Sequence, residues 1–181
     1  LANYTSASGV TIGHGLNKAP SFYIHKPLSG SKNWHVYHSS LGATKALLLN
    51  STNAEATAIG YWANTEPTAD VLSLGNTHAG TGDGIVYAWA EVDGYSKFGT
   101  YTGNYSANGA FVYTGFRPRM LFVKRADGTN SWFVWDTART TFNKMNSYVY
   151  WDLTNAEETG YAIDVLSNGF KIRGQNNATN N

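Results

Sequence analysis

The sequence predicts an all-β protein: a tandem repeat of two β-sandwich, jelly-roll-like units, the second lacking its last strand. Three observations carry that expectation. A run of landmarks occurs twice in the same order: Asn3–Leu16 (NYTSASGVTIGHGL) is answered by Asn104–Phe116 (NYSANGAFVYTGF), Trp34–Tyr37 by Trp132–Trp135, Asn53–Thr57 by Asn155–Thr159, and Asp70–Ser73 by Asp164–Ser167. The offsets of 101, 98, 102 and 94 residues wander as strands joined by variable loops would. Apolar and polar residues alternate with period two over short segments, the mark of half-buried strands. Finally, the 181 residues include 19 Gly and are 14% aromatic but only 14% charged, which suits short strands and tight turns rather than a helical bundle.

In the first unit, residues 1–99, the pattern places strands at Val10–His14, Ser21–His25, Trp34–His38, Ala46–Asn50, Val71–Leu74 and Ile85–Val92. The last is the most regular. Ile85, Tyr87, Trp89 and Glu91 fall on one side, and Val86, Ala88, Ala90 and Val92 on the other. In the second unit, residues 100–181, strands are expected at Phe111–Thr114, Met120–Lys124, Trp132–Asp136, Tyr148–Trp151, Asp164–Leu166 and Phe170–Arg173. Turn sequences LSGSKN (28–33) and ADGTN (126–130) separate the second and third strands of each unit, and Asp127-Gly128 is a strong hairpin cue. Pro20 and Pro118 stand just before the second strands, where a missing N–H costs no ladder bond. Only Ala54–Ala58 and its partner near Ala156–Glu158 tolerate a turn or two of helix. After Asp70–Ser73 the first unit continues into GDGIVYAWAEVDGYSKFG (82–99), whereas after Asp164–Ser167 the sequence reaches GQNNATNN with no equivalent. Both ends fall in mid-pattern, as in a piece of a longer array or a unit completed by its neighbour.

Composition narrows the function classes. A formal net charge of +1 without a basic cluster gives no field for gathering nucleic acid. No apolar run approaches the ~18 residues of a membrane-spanning helix. The absence of Cys removes disulfides and thiolate chemistry. There is no G-x-S-x-G elbow, P-loop or dinucleotide fingerprint, and the Gly-rich 80–84 (GTGDG) leads into a strand rather than a helix. Four N-x-S/T sequons, at Asn3, Asn50, Asn104 and Asn177, are expected by chance in so Asn-, Ser- and Thr-rich a chain.

Three residue groups could carry chemistry. Glu91 and Asp93 lie two apart on one predicted strand, as a glycosidase pair would, and a laminarinase-like sandwich carries E-x-D-x-x-E. Here the third position is Ser96, and Gly94-Tyr95 alongside suits solvated acids at a strand end. The five histidines, His14, His25, His35, His38 and His78, all fall in the first unit; His35 and His38 are expected on the exposed side of their strand, without a metal-ligand motif around them. Phe133 and Asp136 stand at the matching second-unit positions. Trp34, Trp89 and Trp132 lie within alternating strands and are expected in the core. Tyr61, Trp62, Tyr150 and Trp151, among Asn and Thr, are the candidate platform for stacking on sugars, against the simpler reading that aromatics fill a thin sandwich.

The segment Glu91–Arg125, followed by NSWFVWDTAR and DVLSNGFKIR, resembles a repeated domain of structural proteins from marine tailed bacteriophages; NWHVYHSSLGATKALLLNSTNA looks like a neighbouring copy in the same arrays. The resemblance covers nearly the whole chain. It implies a fibre-like or virion-associated structural protein, located in the virion or outside the cell, with other copies of itself or other virion proteins as partners. It carries over no catalytic residue, metal or cofactor. In those arrays a strand like Tyr87–Glu91 follows DVLSNGFK, a pattern from which this sequence departs; the missing counterpart of Ile85–Val92 leads to the expectation that a neighbour donates a strand to close the second unit. A host-surface glycan-binding module and a polysaccharide-cleaving enzyme are the alternative expectations.

Overall fold

The computed structural model describes residues 2–6, 9–58, 60–75 and 82–181; His78 and the Gly80-Thr81 start of the Gly-rich loop lie outside them. Within the described residues the protein is all-β and contains no helix, and fourteen strands form two six-stranded sheets and one two-stranded sheet. The chain divides into two compact units, Leu1–Asn50 with Glu55–Glu91, and Ser51–Ala54 with Val92–Asn181. The division expected at 99/100 falls inside the second of these.

Unit 1 contains β1 (Ala2–Ser6), β2 (Val10–Gly13), β3 (Phe22–Pro27), β4 (His35–His38), β5 (Lys45–Leu48), β6 (Ala56–Thr57), β7 (Val71–Leu74) and β8 (Gly82–Trp89). The large sheet runs β1-β8-β3-β4-β5-β6, and β2 pairs with β7. Strand alternation turns Tyr23, Tyr37, Ala46 and Val86 inward, where they meet Ile12, Leu72 and Leu74 of the small sheet in one core. This is a two-layer sandwich. At its centre Tyr23 stacks on Tyr37 with ring centroids 4.4 Å apart, and Trp62 meets Tyr23 edge-on at 4.9 Å. The small residues Val86 and Ala88 of β8 face this core while Tyr87 and Trp89 face away, so Trp89 is 43% exposed rather than in the core.

The helical turn expected at Ala54–Ala58 is instead the short strand β6. Ala56 lies opposite Ala46 and Thr57 opposite Lys45, and Lys45 is ion-paired to Glu55. The same happens near Ala156–Glu158, where a strand begins at Glu158. Tertiary pairing overrides a helix propensity worth only tenths of a kcal/mol per residue.

Unit 2 contains β9 (Phe111–Tyr113), β10 (Met120–Val123), β11 (Phe133–Asp136), β12 (Met145–Tyr150), β13 (Glu158–Leu166) and β14 (Gly169–Ile172), in the order β10-β11-β12-β13-β14-β9. Both ends of this sheet share one core: Val123, Phe133 and Trp135 meet Phe170 and Ile172, with Met145, Ile163 and Val165 among them. The sheet therefore curls over itself. A register shift between Met145 and Ser147 and a Gly160 φ of 135° lie on the two strands that make the bend.

Strand pairing corrects one sequence correspondence. Tyr23 opposes Tyr37 as Leu121 opposes Trp135, and Ile12 opposes Leu72 as Val112 opposes Phe170. The place of β7 is thus taken in unit 2 by β14, 98 positions on from Leu72 to Phe170, the same offset as the Trp34/Trp132 pair. Asp164–Ser167 instead ends β13 and turns into β14. The shared DVLS string led to the outlying offset of 94.

The last residues of unit 2 are buried. Asn180, fully inaccessible, donates from Nδ2 to the Ser106 and Gly174 carbonyls, both at 2.7 Å, and accepts from the Asn104 N–H at 3.1 Å. The Tyr105 N–H donates to the Asn180 carbonyl at 2.7 Å, and the Tyr101 hydroxyl to that of Thr179 at 2.6 Å. A Cβ on Gly103 would stand 2.4 Å from the Asn180 carbonyl carbon, so this seam closes only around glycine.

Candidate functional site

The four aromatic residues proposed from sequence as a sugar platform are not a platform. The turn at 60–64, with positive φ at Ala63 and Asn64, swings Trp62 into the unit 1 core, where it is fully buried and donates from Nε1 to the Lys45 carbonyl at 2.8 Å. Tyr61 is half-buried with its ring 4.6 Å from that of His35. At the end of β12, alternation separates the other two. Tyr150 turns toward the core and its hydroxyl donates to Glu158 at 3.1 Å; Trp151 turns out, 50% exposed, against Phe122 at 4.8 Å. Of the four, Trp151 alone is exposed.

The histidines are also placed differently. His35 is buried, not exposed, and faces His25 across the β3–β4 ladder with ring centroids 6.4 Å apart. The register explains it: His25 and His35 share the inward side with Tyr23 and Tyr37, whereas Val36 takes the opposite face. Burial, with the nearby positive groups, pushes His25 down to about 3 and His35 to about 4, so both are neutral imidazoles at pH 7. His38 accepts from the Ser40 N–H at 3.1 Å, and His14 Nε2 lies 3.2 Å from the Thr68 carbonyl. Among the described residues no three of His, Asp and Glu gather as metal ligands.

Glu91 and Asp93 lose the geometry that suggested a glycosidase pair. β8 ends at Trp89, and Val92 begins a turn closed by its bridge to Ser96, so the two acids do not project from one strand face. The Glu91 carbonyl accepts from Lys18 at 3.0 Å. A cavity of about 100 Å³ in unit 1 is lined by Ile12, Gly13, His14, Leu16, Leu72, Val86 and Ala88, and His14 is its one titratable side chain.

Sequence reasoning missed a part-buried polar network around Glu66, a residue that is itself exposed. The Tyr37 hydroxyl donates to Glu66 Oε2, and Glu66 Oε1 accepts from the Ala43 N–H at 2.7 Å. Burial raises both Tyr23 and Tyr37 well above the ordinary tyrosine range. A carboxylate in the acidic-Pro segment Glu66-Pro67, far from any strand, gave no signal of this role.

The least satisfied feature is the β10 edge. In unit 1, β3 is flanked by β4 and β8, with Phe22 opposite Trp89, Ile24 opposite Tyr87 and Lys26 opposite Ile85. In unit 2, β10 has β11 on one side and, among the described residues, no strand on the other. The residues at the matching places behave accordingly. Ile24 is 6% exposed, while Phe122 is 42% and Met120 56% exposed. The edge is bounded by cations. Arg119 is exposed, and Lys124, pushed down to about 8 chiefly by burial, donates to the Arg125 carbonyl at 2.6 Å. Lys26, at the matching place in unit 1, donates to the Lys32 carbonyl at 2.7 Å.

Comparison with known proteins gives a family and no relatives of known role: no curated protein and no solved structure matches the chain. The family model described as "Domain of unknown function (DUF7483)" matches residues 1–181, so the chain belongs to the DUF7483 family.

Proposed function

We propose that the chain is a structural module of a bacteriophage virion appendage, acting by assembly through its sheets rather than by turnover. One observation carries this reading: the β10 edge has no pairing strand among the described residues and presents two large apolar side chains, Met120 and Phe122, where the matching strand of unit 1 is covered. Exposed apolar edges are normally blunted or buried because they recruit further strands, and strand addition is a general mode of polypeptide recognition. The resemblance of Glu91–Arg125 to virion proteins supports the same reading. Mass spectrometry and immunogold labelling of purified particles encoded with this chain should place it on the tail or fibre. Its presence in infected lysates but absence from purified particles would overturn the proposal.

Carbohydrate binding at a host surface is the second reading, and one arrangement favours it. Trp34, Tyr87 and Trp89 form a row on the outer side of the unit 1 sheet, with successive ring centroids 6.5 Å apart and planes within 19°. Lys26 lies 5.8 Å above the Trp34 ring. Near-parallel rings in a row suit stacking on consecutive sugars. Glycan-array binding that disappears in Trp89→Ala supports this reading; an array blank for the unmodified chain removes it.

A further inference from the structure

Resting on the assembly reading, we infer that the β10 edge takes an extended segment of a neighbouring polypeptide with alternating apolar side chains and a carboxylate beyond each end, a strand of β8's own chemistry. The register of unit 1 supplies the template. Transposed onto unit 2, an antiparallel strand sets a Trp89-like residue opposite Met120 and a Tyr87-like residue opposite Phe122, with an Ile85-like one opposite Lys124. In unit 1 the equivalent contacts are made: the Phe22 and Trp89 rings lie 5.6 Å apart. Small residues in the alternate places, as Val86 and Ala88 are, face the core beside Leu121 and Val123.

Charge selects the occupant. β10 is short and flanked by Arg119 on one side and by Lys124 and Arg125 on the other; Arg125 is ion-paired to Asp127, whereas Arg119 has no carboxylate partner among the described residues. A second β10 pairing antiparallel would set Arg119 against Lys124, and directly opposed like charges destabilise a ladder. The edge thus disfavours its own copy. A β8-like strand brings the opposite sign to both ends: continued in this register, its Asp83 position falls opposite Ala126, diagonal to Lys124, and its Glu91 position opposite Pro118, one residue from Arg119.

The test uses the intact chain and a synthetic peptide with the sequence of residues 82–92, GDGIVYAWAEV, alongside its charge-reversed form carrying Asp83→Lys and Glu91→Lys. Calorimetry should show saturable one-to-one binding, with amide exchange slowed at Met120–Val123, and binding about tenfold or more weaker for the charge-reversed peptide. Equal binding of the two peptides at β10 overturns the carboxylate requirement and leaves the edge reading intact. If neither peptide, nor a neutral alternating apolar one, slows exchange at β10, both the inference and edge-based assembly fall. Protection confined to the unit 1 strands would mean exchange with β8 itself, and would likewise overturn the inference.

Discussion

β3 and β10 are the same kind of strand in two different situations. Both follow a proline, both begin a β-β-β ladder of the same antiparallel path, and both carry near their C-terminal end a lysine, Lys26 or Lys124, whose ammonium donates to a carbonyl further along the chain. β3 lies inside its sheet and β10 at the rim. The difference shows that local sequence decides that a strand forms, while its neighbours decide how much its outer side chains contribute. Phe122 and Ile24 hold corresponding positions, yet only Ile24 is buried.

Acid should separate the two units most strongly. All five histidines lie at positions 14–78, within unit 1. His25 and His35 have folded-state values of about 3 and 4, below the ordinary 6.5, so the unfolded chain binds protons first as pH falls. Their contribution is intact above pH 6.5 and declines toward pH 4, by about 1.4 kcal/mol per pH unit for each residue. Chemical denaturation followed by amide exchange should show unit 1 losing stability from pH 6.5 to 4.5 well beyond unit 2. A His25→Phe, His35→Leu variant that keeps the same pH slope would contradict this origin.

Truncation of the paired strands gives the next contrast. Ile24→Ala, under β8, should cost about 2–5 kcal/mol, whereas Phe122→Ala at the open rim should stay within about 1 kcal/mol. Equal losses in urea melts would mean that the rim is covered in the isolated chain. The seam gives a more local contrast: Asn180→Ala leaves the Asn104 N–H and two carbonyls without their partner and should cost about 1–3 kcal/mol, with faster exchange over residues 101–109. Unchanged exchange there would show that the tail does not hold that segment.

Much of the scaffold was legible in the residues. Period-two alternation located the strands at 71–74, 111–113 and 120–123 nearly to the residue, because one buried face imposes that spacing. β6 was not legible, since a two-residue strand exists only through its pairing with β5. The candidate site was harder. Which side of a strand faces inward depends on the partner sheet, so His35 and Trp89 were assigned to the wrong environments, and Trp62 is carried inward by a turn whose positive φ angles no periodicity announces. The open rim was foreshadowed not by alternation within one strand but by comparing the two landmark runs, which finds no second-unit equivalent of residues 82–99.

The seam between Gly103 and Asn180 has a consequence for how the polypeptide is made. Its two sides are 77 positions apart in the sequence, and contacts between them bury Asn180 completely. Synthesis from the N-terminus therefore delivers the Tyr101–Gly109 loop long before the residues that lock it. All the described strands of unit 1 are present once Trp89 has emerged, so it can fold while unit 2 is still being translated. Unit 2 must wait for its last few residues, and a ribosome stalled just before Asn180 should carry a folded first unit and an unlocked second one.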